Sequence, residues 1–399
     1  MAAAAQARQA AQVSGQDVSA MPDPISMLLD SFKASGLQST QFALAEELIT
    51  EMIRSKTKAN VEGKPKKSRL FLAYTSNLIS SGLREVFAEL VRNDLVDGIV
   101  TTAGGIEEDY IKCLGATVLG DFALRGDALR KQGLNRVGNL LIPNANYVAF
   151  EDFFTPILKE IHKQQMAAQW EVLTGPSEII QKIGEHLAPA AEKRAKQIAE
   201  WDAKHPDDLP QLAEGEERKA EDERPKAMDI NRSVGYWCSE KKVPVFCPAL
   251  TDGSIGDMVF FFNFGTKGLV IDPIVDLMKF EDLCGVRYEE DRQRKESAAA
   301  VEEEDPEDVN LIILGGGLPK HHLMRSIYTG FGSRTNVTVR VVNVSTALPT
   351  DGTVSCPSVE QDREMRLAHL HYQAVAMHAD ATLVFPLMMS RAFQHLKKQ

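Results

Sequence analysis

The sequence predicts an α/β fold with a parallel sheet and helices on both faces. Two observations carry this. Short apolar runs, KSRLFLAY (67–74), GIV (98–100), VPVF (243–246), GLVID (268–272) and NLIIL (310–314), stop at a polar turn in the first case and at a Gly- or Asp-bearing loop in the others. Each loop then opens a helical pattern, the alternation that builds parallel sheets. With 399 residues, 44% of them apolar, the chain is long enough for a large core.

Taken in order, residues 1–22 read as a flexible start. MAAAAQARQAAQVSGQDVS lacks both a basic leader and a Leu-rich core, so it is a poor secretory signal, and the cytoplasm is the expected location. Ile25, Leu28, Leu29 and Phe32 fall on one helical face, and a second helix is expected from Phe42 to Met52. SNLISSGLREVFAELVR reads as one helix capped by Ser76 or Asn77. VDGIVTTAGGIEEDYIKCLG is strand, glycine turn, helix. Two charged stretches, about 185–229 and 287–308, hold too few apolar residues to bury and read as exposed insertions. The expected organisation is one domain from 23 to 399 that carries both insertions.

Composition excludes several classes. The net charge of −11 argues against a nucleic-acid surface, which needs clustered Lys and Arg. No run of 18 apolar residues is present, so no membrane span is expected. Cys113, Cys238, Cys247, Cys284 and Cys356 are odd in number and form no CxxC pair, which points to free thiols in a reducing compartment. His369, His371 and the other histidines lack metal-ligand spacing, so no metal is expected.

Polar and glycine-rich strand ends carry the chemistry: Thr75-Ser76-Asn77, Thr101–Gly105, Ala249–Ser254 and Gly315–Gly317. A glycine after a strand admits a phosphate, and the next helix offers free N–H groups. None matches GxGxxG, and tight turns need glycine anyway. Four such ends together suggest a nucleotide-type ligand. Glu107, Glu108, Asp252 and Asp257 lie near these turns, where carboxylates suit either a cationic ligand or a helix N-terminus. His321 and His322 follow the triple glycine, placed for a ligand contact or a general base.

The strings TSNLISSGLRE (75–85), TTAGGIEEDYIKCLG (101–115), RVGNLLIPNANYVAFEDF (136–153), PALTDGSIGDM (248–258), ILGGGLPKHH (313–322) and ADATLVFP (379–386) closely resemble deoxyhypusine synthase. The resemblance runs from about Pro24 to Phe393 and omits the insertions. It implies a Rossmann-like subunit of a tetramer that uses NAD to oxidise spermidine. The aminobutyl group rides as an imine on a lysine before transfer to a lysine of a translation factor precursor. It also implies cofactor contacts at Ser76, Asn77, Thr102, Gly104, Glu108, Asp252, Gly316, Gly317, Thr346, Ala347, Asp351 and Asp380. Asp257 and His321 match polyamine contacts.

One segment departs from the family. After Asp351-Gly352 the family carries a signature close to PDEAxSWGK, whose lysine forms the imine. Counted without gaps between Asp351 and Asp380, Gln361 replaces its Glu, Met365 its Trp, Arg366 its Gly and Leu367 its Lys. Val354 replaces an acidic polyamine contact, and Arg325 adds a repelling cation. No lysine lies between His321 and Leu396. The chain thus resembles the inactive regulatory paralogues of trypanosomatid type, which pair with a catalytic paralogue in a heterotetramer and activate it. Two alternatives remain: an active synthase using a displaced lysine such as Lys320, and a scaffold for the translation factor.

Overall fold

The computed structural model describes residues 24–57, 67–171, 173–204, 224–284, 307–331, 337–352, 354–360 and 371–397. Residues 1–22, the second insertion up to 306, and Gln361, Met365, Arg366 and Leu367 lie outside the described residues.

Along the chain, α1 (Pro24–Ser35) and α2 (Leu37–Thr57) precede β1 (Lys67–Tyr74). The helix expected after Ser76 is two helices, α3 (Asn77–Ser80) and α4 (Leu83–Arg92). Then come β2 (Gly98–Val100), α5 (Ala103–Leu114), β3 (Val118–Leu119), α6 (Gly126–Lys131), β4 (Leu134–Val137), β5 (Leu140–Pro143) and α7 (Asn144–Ala167). Next are α8 (Pro176–Lys204), α9 (Val234–Lys241), β6 (Val245–Phe246), α10 (Ser254–Thr266) and α11 (Pro273–Leu283). The last elements are β7 (Glu307–Leu314), α12 (Gly317–Phe331), β8 (Val337–Ser345), β9 (His371–His378) and α13 (Ala381–Lys397). Two compact units result, Met1–Tyr74 with Glu281–Gln399, and Thr75–Phe280.

In the first unit β1, β7, β8 and β9 pair in parallel, in that order. All of β7 and nearly all of β8 is buried, as expected of parallel strands covered on both faces. Helix α2 packs on β1, β8 and β9. It buries Phe42, Ala45, Ile49, Met52 and Ile53, the three-and-four spacing of an amphipathic helix. A buried arginine of this unit is paired: Arg340 reaches Asp308 Oδ2 at 3.2 Å and Glu51 Oε1 at 2.9 Å.

The second unit holds the parallel pair β2–β6 and an antiparallel sheet β3-β5-β4. A buried ion pair ties its helices. Arg84 Nε donates to Asp109 Oδ1 at 2.7 Å. Asp109 Oδ2 accepts from Ser233 Oγ and the Gly235 N–H, both at 2.7 Å, so one carboxylate joins α4 and α5 to the start of α9.

One sequence expectation here needs correction. The apolar run GLVID is not a strand. The Val270 N–H donates to Gln165 Oε1 and its carbonyl accepts from Gln165 Nε2, so a buried side-chain amide takes the place of a neighbouring strand. The described start of the first insertion is helical, and from 191 to 204 its residues are exposed or half-buried. Ala, Glu and Lys are strong helix formers, and they carry α8 on to Lys204, with Leu187 still buried beside Ile180 and Ile183.

Candidate functional site

In the second unit the turn after β1 abuts the turn after β2. A Cβ on Gly104 would lie 2.9 Å from Ser76 Cβ and 3.2 Å from its Oγ, so only glycine lets the two turns close together. Ser76 does not cap a helix. Its backbone is right-handed helical and its side chain makes no cap bond. The break after α3 is satisfied from α5, where Lys112 Nζ donates to the carbonyls of Ile79 (2.8 Å) and Ser81 (2.9 Å). Burial, with Arg84 nearby, pushes that ammonium down. Asn77 is exposed, and Thr102 stands at the N-cap of α5 without a side-chain cap bond.

The two adjacent glutamates do different work. Glu107 is buried, and its Oε2 accepts the Ile255 N–H at 2.7 Å. It therefore caps α10, a helix far away in sequence, and its carboxylate holds the N-terminus that an anion would otherwise use. Glu108 is 5% exposed. Its Oε1 accepts from the Tyr147 hydroxyl at 2.7 Å, while its Oε2 is buried with no partner. Burial pushes the Glu108 carboxyl up to about 7, against the lowering effect of the Tyr147 bond. A buried carboxyl raised toward neutrality with one vacant oxygen is a candidate functional group. Asp252 and Asp257 are exposed, before and on α10.

The first unit presents the triple glycine between β7 and α12. Gly315 and Gly317 have φ of +90° and +65°, backbone that side chains resist. The face of this turn is filled by the chain itself. The Gly317 N–H donates to Val354 O at 2.9 Å. A Cβ on Gly316 would meet Ser355 O at 2.5 Å, and Ser345 Oγ donates to that same oxygen at 3.1 Å. Lys320 is 1% exposed and donates from Nζ to Cys356 O at 2.8 Å. Three consecutive carbonyls, 354 to 356, are thus held by the turn, β8 and α12.

The remaining positions of this unit are more open. Thr346 is exposed and Ala347 half-buried. Asp351 Oδ2 accepts the Leu348 N–H at 2.7 Å, closing a 3-10 turn, and Asp380 Oδ1 accepts the Thr382 N–H at 2.7 Å at the start of α13. His321 is exposed, whereas His322 is buried and pushed down to about 4 by burial, with Arg325 and His321 adding to the effect. Val354 is 39% exposed and Arg325 is exposed.

Sequence reading missed Tyr147, the capping role of Glu107 and the 354–356 closure. The first two are pairings across 39 and 148 positions, and the third is made by backbone, so no local pattern announces them. Among the described residues no His, Cys, Asp and Glu group is arranged to hold a metal, and no helix is long and apolar enough to cross a membrane.

Strand-end turns with carboxylates beside them mark this chain as an α/β protein of the class that binds ligands at strand C-termini. A profile of deoxyhypusine synthase matches residues 27–392, and the chain belongs to that family. It is 38% identical over 384 residues to an inactive deoxyhypusine synthase of Leishmania donovani, covering 95% of this chain and 83% of that one. It is 38% identical over 370 residues to the deoxyhypusine synthase regulatory subunit of Trypanosoma brucei brucei, covering 93% and 89%. The deoxyhypusine synthase of Senecio vernalis is 34% identical over 382 residues, covering 94% and 85%. In fold the chain is similar to the crystal structure of a putative deoxyhypusine synthase from Entamoeba histolytica, with a TM-score of 0.53 at 21% identity over 96% and 97% of the two chains.

Proposed function

We propose that this chain makes no deoxyhypusine on its own and serves as the regulatory subunit of a catalytic, lysine-bearing paralogue. That paralogue transfers the aminobutyl group of spermidine to a lysine of the translation factor precursor. The observation that carries the reading is Leu367 at the position of the family's imine-forming lysine. Leucine has no nitrogen, so the covalent intermediate cannot form. The names of the two 38% identical relatives, one inactive and one a regulatory subunit, support it.

The geometry weakens the reading in which Lys320 substitutes. A nucleophilic lysine must reach substrate, and Lys320 is buried with its ammonium on the Cys356 carbonyl. Val354 in place of an acidic contact, and Arg325 as an added cation, further disfavour a polyamine.

The cofactor we propose is NAD, which when bound accepts and returns a hydride. The residues present suit its riboses better than its phosphates. Asp252 and Asp380 offer exposed carboxylates for hydroxyl groups, whereas the vacant acceptor oxygen of Glu108 is buried. Gly316 and Gly317 make their contacts to residues 354–356, so their part is to hold that segment. Five buried free thiols suit a reducing compartment such as the cytoplasm. We further propose one functional domain spanning 23–399, with the heterotetramer as the working assembly.

The test is aminobutyl transfer by the purified chain alone and after mixing with the lysine-bearing paralogue. Background turnover alone and a rise well above the paralogue's own rate on mixing are expected. Turnover by the lone chain at the rate of an ordinary synthase refutes the reading.

A further inference from the structure

Helix α5 carries three consecutive acidic residues, Glu107, Glu108 and Asp109, and all three are buried. Two of them are spent on the ends of other helices. Glu107 Oε2 takes the Ile255 N–H at the start of α10. Asp109 pairs with Arg84 and takes Ser233 Oγ and the Gly235 N–H at the start of α9. Glu108 caps nothing. Its Oε1 takes the Tyr147 hydroxyl at 2.7 Å, and its Oε2 is buried with no donor. An unpaired buried acceptor opposes folding, so stability does not account for a glutamate here.

Tyr147 links this sealed carboxyl to the surface. It is half-buried, in the first turn of α7. Burial and Glu108 push its phenol up, so it stays a donor at neutral pH. Its bond favours the charged form of Glu108, while burial opposes that form more strongly. On α5, Glu107 adds to the rise of Glu108 and Lys112 opposes it. The helices packed on α5 are α3, α7, α9 and α10. Helix α3 carries no charge, and Glu151 and Asp152 of α7, Glu240 of α9 and Asp257 of α10 are exposed. Lys241 of α9 pairs with Asp94, and burial pushes Cys238 and Tyr236 up, so both are neutral. Tyr147 is thus the one polar partner that Glu108 has among the described residues.

We infer that Tyr147 is a positioning residue and that its bond to Glu108 is a proton-linked latch on the proposed cofactor site, an inference that rests on the NAD reading above. With the carboxyl protonated, the Tyr147 bond keeps it folded inside. When its O–H bond breaks and the proton leaves to solvent, the charge makes a vacant, buried Oε2 costly to keep. The carboxylate then turns out past Tyr147 and takes a hydrogen-bond donor of the cofactor. Binding at Glu108 therefore releases a proton, and Tyr147 sets the pH at which the site comes into use.

The experiment titrates NAD into the full chain by calorimetry between about pH 6 and 8, in two buffers of different ionisation enthalpy. Wild-type affinity should rise about tenfold over that range, following the ionised fraction of a group near 7. Close to one proton should be released per NAD at the acid end and close to none at the alkaline end. Glu108→Gln should bind with no pH dependence. Tyr147→Phe should show the same rise displaced to higher pH, because the bond that favours the charged form is gone. A merely structural Tyr147 would lower stability and leave the rise where it was. Both variants are nearly isosteric, and an unchanged circular dichroism spectrum verifies that they fold. Flat wild-type affinity, or a rise at the wild-type pH in Tyr147→Phe, overturns the latch and leaves the NAD reading standing. Absence of NAD binding at every pH overturns the NAD reading, and the free chain then decides the latch. There the Glu108 carboxyl, identified in carbon-13 NMR by its absence from Glu108→Gln, should titrate near 7 in wild type and higher in Tyr147→Phe. A midpoint near the ordinary 4.5, or the same midpoint in both proteins, overturns it.

Discussion

The strand-end turns of the two units are built from similar sequence and end in opposite states. In the first unit the triple-glycine turn is closed by its own chain. The Gly317 N–H, Ser345 Oγ and Lys320 Nζ each take one of three successive carbonyls. In the second unit the turns lock to each other through Gly104 and Ser76, yet they leave Asn77 and Asp252 exposed beside them. A glycine run is therefore no guide to ligand access. What separates a closed turn from an open one is whether another stretch of backbone reaches its face first.

The contrast is broken most forcefully at the scaffold of the open half. Asp109→Ala leaves Arg84 as an uncompensated buried charge and removes the acceptor of the Val234 and Gly235 N–H groups, so the loss should be about 3–5 kcal/mol in urea unfolding. A loss below about 1 kcal/mol shows that the pair is replaceable. Next in size is a pair of opposed titrations. Glu108 titrates at about 7 when folded against an ordinary 4.5. Its contribution is thus present below the unfolded value and lost as pH rises through 7, about 3 kcal/mol in all. His322 titrates at about 4 against an ordinary 6.5, so its contribution is present above 6.5 and lost as pH falls through 4, again about 3 kcal/mol. Between pH 4.5 and 6.5 the two slopes oppose, and wild-type stability should be nearly flat. Glu108→Gln should uncover the acid loss and His322→Asn the loss above pH 5. Parallel curves for wild type and both variants contradict this assignment.

The same residues mark how far the sequence could be read. β1, β2, β6 and β7 were legible because each apolar run ends at a glycine, a polar turn or a proline. GLVID shares that appearance, but Gln165 supplies its hydrogen bonds from a helix, which no local pattern reveals. The β3-β5-β4 sheet went unread because strands of two and four residues are too short to show a period. Within the site the residue types were legible and their partners were not. Glu107 and Glu108 look alike in sequence, yet one caps α10 and the other is half-satisfied. Leu367 was legible only by counting against a family signature, since leucine itself announces nothing.

A smaller effect sharpens the closed half. Lys320→Met removes the donor to Cys356 O and leaves a buried carbonyl unpaired, at about 1–3 kcal/mol. Gly316→Ala drives a methyl into Ser355 O and should cost about 1–3 kcal/mol by displacing the same backbone. Because both act on adjacent carbonyls of one segment, their effects in the double variant should fall short of additive by about 0.5 kcal/mol or more. Full additivity means that the lysine and the glycine hold different things.

The smallest expected effect separates two roles of one residue. Asp380 caps α13 through the Thr382 N–H and is also a proposed cofactor contact. Asp380→Ala should lose about 1 kcal/mol of stability with the cap. Asparagine caps a helix about as well as aspartate but carries no charge, so Asp380→Asn should melt like wild type. If the carboxylate also receives a ribose hydroxyl, Asp380→Asn should weaken NAD binding severalfold by calorimetry with stability intact. Equal NAD affinity in wild type and Asp380→Asn reduces Asp380 to a helix cap and leaves Glu108 and Asp252 as the proposed acceptors.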